Sequence, residues 1–263
     1  NTITKAAIKR AVSTLELFQK TIQYYHVLPS QIRATATSAF RNAKNGHYVA
    51  SLIQKSTGIK INIIDGETEA SLIYHGVSKA IQFSEETSLI IDIGGGSVEF
   101  ILCNKNGIKW LKSFEIGGQR MLDNFYIEDP ISSKNIIDLN SYLDTNLVEL
   151  YKVCKEHNPT QLIGASGSFD TLTEIYKREI HNYSERDNNL SINLPIQKTS
   201  DIMNDIISKK RSDRLVIKGM QKIRVNMIVV ASCLIKRILE QNNFNCITAT
   251  KFALKEGVLF THY

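Results

Sequence analysis

The sequence lacks the spacings that announce several common chemistries. Its four cysteines, Cys103, Cys154, Cys233 and Cys246, include no C-x-x-C pair, so neither a disulfide framework nor a zinc site is indicated, and reduced thiols packed inside a cytosolic chain fit better. The longest apolar stretch, Met227 to Ile235, is interrupted by Ser232. It falls far short of the roughly 20 residues that cross a bilayer, and no secretory signal appears. A cytoplasmic chain without membrane contact is therefore expected. The six histidines show no metal-ligand spacing. A Gly-x-Ser-x-Gly elbow and a P-loop are both missing, which sets aside covalent serine catalysis and Walker-type nucleotide hydrolysis. Lysines and arginines are not clustered among aromatics, so a nucleic-acid polymer is not an expected partner.

What is present suits a packed α/β protein. A chain of 263 residues with 43% hydrophobic content can bury one large core or two smaller ones. The 32 basic against 26 acidic residues give +6, a balance that attracts polyanions such as phosphorylated small molecules but also describes an ordinary solvated surface. Ile8, Val12, Leu15, Phe18 and Ile22 recur at helical spacing between Thr4 and Tyr25. A strand over 31–37, short helices over 38–43 and 47–57, a strand over 60–64 and a helix over 67–81 follow. Residues 87–93 form a largely apolar strand that runs into three glycines, and 98–103 with 108–114 read as a hairpin. A long helix over 132–157, a strand over 161–165, a helix through 176 and an exposed loop over 181–195 come next. Helices from Asp201 and from about Gly219 to Gln241, then a last strand and helix, close the chain.

The glycines carry the first chemical signal. In Ile91-Asp92-Ile93-Gly94-Gly95-Gly96-Ser97-Val98-Glu99, consecutive residues without Cβ let several backbone N–H groups converge on one anion. Asp92 and Glu99 flank that bend, and a hard cation such as Mg²⁺ would reconcile two carboxylates with a phosphate. The plainer reading is a hairpin whose glycines only permit a tight turn. Arg41, delivered by a strand ending in hydroxyls, suits phosphate through its planar fork, or is a surface charge. Glu67 at the following helix start is explained by the helix dipole. Glu69 is either another such charge or a general base within reach of an attacking water.

Five ordered blocks then resemble the exopolyphosphatase and guanosine pentaphosphate phosphohydrolase family: Ala-Thr-Ser-Ala-Phe-Arg at 36–41, Ile-Asp-Gly-Glu-Thr-Glu-Ala at 64–70, Ile-Asp-Ile-Gly-Gly-Gly-Ser-Val-Glu at 91–99, Ala-Ser-Gly-Ser at 165–168 and Lys-Glu-Gly-Val-Leu-Phe at 255–260. The resemblance implies an actin-like α/β fold of two ribonuclease-H-like domains around a central cleft. Residues 1–82 plus 252–263 would form the first domain and 86–250 the second. It implies Mg²⁺-dependent release of orthophosphate from polyphosphate or guanosine pentaphosphate, and a homodimer. In its terms Glu69 activates water, Arg41 contacts the scissile phosphate, and Asp92 and Glu99 organise metal and water. Gly94, Gly95, Gly96, Ser97, Ser166, Gly167 and Ser168 would bind phosphates. Departures include Thr68 in place of a second glutamate and Asn226 where an aspartate is usual. The family's first phosphate loop is also missing ahead of Thr4, and an upstream segment is expected to supply it. A non-catalytic alarmone or polyphosphate sensor is the alternative, and a kinase of the same superfamily a further one.

Overall fold

The computed structural model describes residues 1–180 and 189–261. Contacts divide it into two compact units, Asn1–Glu69 and Ala70–Thr261.

In the first unit, helix α1 (Lys5–Tyr24) starts where the Thr4 hydroxyl accepts the amide of Ala7, satisfying one of the free donors of a helix start. Asn45 anchors the preceding residue through both Ile3 N (2.8 Å) and Ile3 O (2.9 Å). Strand β1 (Ala34–Ala36) leads to α2 (Ser38–Arg41) and α3 (Gly46–Thr57), and β2 (Ile61–Ile63) pairs with β1 in parallel, Ala34 opposite Ile61. Both strands are shorter than the spacing predicts. Helix α3 stops at Gly58, whose φ of +73° is left-handed and open to glycine without a Cβ penalty. Helix α4 (Gly66–Val77) begins in this unit. It ends four residues before the expected limit of 81.

The second unit is built on a six-stranded sheet. Its strands are β3 (Ser88–Ile93), β4 (Val98–Asn104), β5 (Gly107–Phe114), β6 (Gln161–Ala165), β7 (Ser191–Leu194) and β8 (Cys246–Thr250), in the order β5-β4-β3-β6-β8-β7. The first three form an antiparallel meander, whereas β6 and β8 run parallel to β3 and are reached over helices. That arrangement, with β7 added antiparallel at the edge, is the ribonuclease-H-like order expected of an actin-like half. Every residue of β3 and β4 is buried, which is why these strands read as continuous apolar runs rather than as alternating ones.

Alternation along the strands divides the core into two layers. Leu89, Ile91, Phe100 and Leu102 join the larger cluster with α5 (Gly118–Phe125), α6 (Ser133–Asn146), α8 (Ser166–Glu179), α9 (Ile196–Ser208) and α11 (Met227–Gln241). Ile90, Ile101, Cys103, Ile163 and Ala165 face the other way and meet Ala70, Ile73, Val77 and Ala253. There Gly76 lies against the backbone before α12 (Leu254–Phe260): a Cβ would sit 2.0 Å from Ala253 O.

Several expected limits change. The long helix over 132–157 is two helices, α6 and α7 (Val148–His157), because the buried Leu147 leaves helical geometry at φ −102°, ψ 14°. The helix expected from about Gly219 begins only at Met227, since Gly219 is left-handed at φ +92° and a short 3₁₀ turn at 222–224 intervenes. The short α10 (Arg211–Leu215) and helix α5 carry too few periodic residues to stand out. Of the loop expected over 181–195, residues 191–194 form β7, and 181–188 lie outside the described residues. Helix α4 spans the division between the units, and the domain limits expected from the blocks concern fold halves rather than contact density. Those limits are carried forward as part of the functional proposal.

Candidate active site

In the first unit, β1 ends at Ala36 and the chain turns through Thr37 directly into α2, whose last residue is Arg41. Its Nη1 donates to Ile64 O at 3.0 Å and to Glu69 Oε2 at 3.1 Å. Both side chains are largely buried, at 19% and 9% exposure, so the carboxylate is held in one orientation by a charge-assisted bond. Asp65 caps the start of α4 by accepting the amide of Thr68 at 2.7 Å. That bond lowers its pKa, with Arg41 adding to the effect. Sequence spacing alone does not join residues 41 and 69. The parallel pairing of β1 with β2 brings them together.

In the second unit, the glycines form an anchored bend. Gly94 N donates to Ser97 O at 3.0 Å, and the amides of Gly117, Gly118 and Gln119 donate to the carbonyls of Gly96, Gly94 and Gly95 at 3.1, 2.8 and 2.9 Å. Three carbonyls of the bend are thus consumed on the side where α5 begins. The amides of Gly95 and Gly96 have no protein acceptor among the described residues, so they remain available to an anion. Close approach makes glycine necessary at the facing position too: a Cβ on Gly117 would lie 2.4 Å from Gly96 C and 2.5 Å from Gly95 C and O. Ser97 is 2% exposed and closes the bend through its carbonyl.

Asp92 and Glu99 are direct partners in the β3–β4 register, which sets their Cβ atoms about 5 Å apart on one face. Residue exposures of 6% and 1% leave two carboxylates side by side away from water. Burial raises the Asp92 pKa to about 6, although a hydrogen bond from Ser166 and the charge of Arg224 oppose the rise and Asp170 adds to it. Ser166 Oγ donates to Asp92 Oδ2 at 2.7 Å, and Ser113 Oγ donates to Glu99 Oε1 at 2.6 Å. Ser166 opens α8 with φ +64°, an uncommon conformation for a residue with a Cβ. Gly167 follows, with Arg224 pressed onto it: a Cβ there would fall 1.9 Å from the guanidinium carbon. Ser168 is 1% exposed in the first turn of α8.

The donor set fits a hard cation. Asp92 and Glu99 offer carboxylate oxygens on facing strands, and among the described residues no group of three or more His, Cys, Asp or Glu converges on one point. An ion held there would keep several ligands from water and phosphate, the habit of Mg²⁺ rather than of zinc.

Three contributors escape sequence reading. Arg224 lies two residues before Asn226, but nothing in its spacing places it on Gly167. Gly117 belongs to the bend only through a contact across the fold. Asp170 is one turn beyond Ser166 on α8, and its burial, which raises its pKa against the charge of Arg224, is likewise a tertiary fact.

Sheet order and glycine bend define a protein of the actin-like α/β fold. The model of the Ppx/GppA phosphatase family matches residues 1–263. The crystal structure of an exopolyphosphatase from Cytophaga hutchinsonii superposes with a TM-score of 0.94 at 40% identity, covering 99% of this chain and 83% of that one. A bifunctional 3-dehydroquinate synthase/phosphatase of Fusobacterium nucleatum is 32% identical over 89% of this chain and 35% of its own length. A guanosine-5'-triphosphate,3'-diphosphate pyrophosphatase of Aeromonas salmonicida is 28% identical over 98% of this chain and 50% of its own. The chain belongs to the Ppx/GppA phosphatase family, and it spans a third to a half of the length of these two curated relatives. Among the described residues no helix is long and apolar enough to cross a membrane.

Proposed function

We propose that the chain is a phosphohydrolase that releases orthophosphate from the end of inorganic polyphosphate or from guanosine pentaphosphate. The observation that carries this reading is the bend itself: carbonyls pinned to 117–119, amides of Gly95 and Gly96 unengaged, and two buried carboxylates alongside. Gly95 is exposed and Gly96 half-buried, so their amides face outward, where an anion can take the place of water.

In this reading the amides of Gly95 and Gly96, with Ser97, Ser166, Gly167 and Ser168, bind the phosphates. Arg41 neutralises the oxygens of the terminal phosphoryl group, and Glu69 takes the proton from the attacking water. The water oxygen forms the new P–O bond as the bridging P–O bond breaks, and the leaving phosphate chain departs with the electron pair. The ion pair with Arg41 fixes the carboxylate of Glu69 for that proton transfer. Asp92 and Glu99 would hold Mg²⁺, which when bound supplies charge neutralisation to the phosphate chain. The same reading carries a cytoplasmic homodimer with domains at 1–82 plus 252–263 and at 86–250. Sedimentation at the monomer mass would remove the dimer.

The test is phosphate release from both substrates with Mg²⁺ present. Activity should be lost in Glu69→Ala and Arg41→Ala proteins that stay folded, and undiminished rates would end the assignment.

A further inference from the structure

Arg214, in the short helix α10, is fully buried. Its guanidinium is engaged on every side: Nε donates to Val225 O at 2.9 Å, Nη1 to Lys209 O and Nη2 to the Tyr126 hydroxyl, while Asp129 Oδ1 lies 3.2 Å from Nη1. Asp129 is itself held, since it accepts from the Tyr126 hydroxyl and, at 2.8 Å, from Arg211 N. Exchanging a buried ion pair for well-packed apolar residues is often neutral or even stabilising, so stability alone gives no reason for a charge here. The reason lies in what the guanidinium joins.

Two segments of the phosphate site meet at it. Helix α5 starts at the glycine bend and ends at its cap, Tyr126. Residues 215–224 form an excursion between Arg214 and Val225, and the Nε bond closes it across 11 positions. The excursion has little packing of its own, with Val216 80% and Ile223 92% exposed. Its middle leans on α8, where a Cβ on Gly219 would come within 2.6 Å of Glu174 C and O. Its end carries Arg224, which lies over Gly167 at the start of α8. Among the described residues the Arg224 guanidinium makes no hydrogen bond or ion pair, and Asp92 and Asp170 feel its charge without bonding it. Its donors are left for a ligand, and its place over Gly167 depends on the backbone that Arg214 holds at Val225 O. Loss of that closure would return conformational freedom to residues 215–224.

Resting on the phosphohydrolase reading, we propose that Arg214 is a positioning residue that holds Arg224 over Ser166, Gly167 and Ser168, where the unengaged fork of Arg224 binds a phosphate of the chain. Arg214 itself, being fully buried, does not meet the substrate.

The experiment is a double-substitution cycle on the full chain with Mg²⁺, read as the KM and kcat for phosphate release from whichever of polyphosphate and guanosine pentaphosphate the wild type cleaves. Arg224→Ala, and Arg214→Met with its apolar side chain, should each raise KM about 10- to 100-fold, the range of lost hydrogen bonds to a charged group, with kcat little changed. The double variant should match Arg224→Ala alone, because a brace has no effect once the side chain it braces is gone. An unchanged KM in either single variant, or effects that multiply in the double variant as those of a purely structural arginine would, overturns the proposal while the phosphohydrolase reading stands. If Arg214→Met does not fold, Tyr126→Phe takes its place in the cycle by removing one acceptor from the guanidinium. A KM that it raises in the wild type and leaves unaltered in Arg224→Ala upholds the proposal, and any other pattern overturns it. If the wild type cleaves neither substrate, that reading fails by itself, and the same cycle is read in the Kd for tripolyphosphate by calorimetry. There, non-additive losses uphold the brace, and additive losses or absent binding overturn it.

Discussion

In the second unit every residue of β3 and β4 is buried, whereas the 20 residues of α1 in the first unit bury none. Both units carry residues of the proposed reaction, and each holds them in a different way. The glycine bend grows from strands whose register cannot slip without turning apolar side chains toward polar surroundings, and its carbonyls are tied to the start of α5. Arg41 and Glu69 stand on two three-residue strands and short helices, and their orientation rests on local bonds of 3.0 and 3.1 Å. A deep core thus supports the group proposed to bind a charged chain. Local hydrogen bonding supports the pair assigned to the chemical step.

The largest expected effect separates those two roles. Glu69→Gln should lower kcat by about 10²- to 10⁴-fold, the usual contribution of a general base, while calorimetry shows phosphate-chain binding retained. Gly117→Ala should do the reverse and weaken binding, because its Cβ would displace the bend at Gly95 and Gly96. Binding lost in the first variant, or kept in the second, would break the division of labour.

Next in size is the contrast in support. Phe100→Ala, at a fully buried site, should cost about 3–5 kcal/mol in denaturant unfolding. Phe18→Ala, at a residue 56% exposed on α1, should change stability by about 0.5 kcal/mol or less. Equal losses would show that α1 has packing of its own.

Acidity gives a third test, made in chelating buffer. Burial raises Asp92 from 3.8 to about 6, so the native state holds a proton that the unfolded chain has released between those values. This contribution to stability is present below pH 3.8 and is lost as pH rises through about 6. It amounts to about 3 kcal/mol at 1.36 kcal/mol per pKa unit. Asp92→Asn should gain about 2 kcal/mol of this on the wild type between pH 4 and pH 8, measured by urea unfolding at both. A constant difference would place Asp92 in a more polar setting.

The smallest effect is local. Amide hydrogen exchange should be faster along α1 than along β3 and β4, since few buried contacts oppose its opening. Equal protection would show that both units open only together.

Much of this was legible in the residues. The apolar run at 87–93, the three glycines after it and the hairpin beyond are local patterns, and β3, β4 and β5 lie almost where those patterns put them. The break at Leu147 was not legible, because a buried leucine keeps helical periodicity on both sides of it. Strand β7 was hidden among polar residues, since an edge strand needs little apolar surface. At the site, Asp92 and Glu99 could be read as a pair around a bend. Arg224 on Gly167, Gly117 against the bend and Arg214 against Tyr126 depend on contacts between distant segments, and no local pattern records those.

The sequence by itself determined the strand and helix periods, the glycine bend between two carboxylates and the ordered blocks of a family, because each is a matter of neighbouring residues. Tertiary structure alone decided which atoms of the bend stay unpaired, that Arg41 holds Glu69, and that burial raises Asp92. These depend on what distant parts of the chain leave next to one another, and on how much water they exclude.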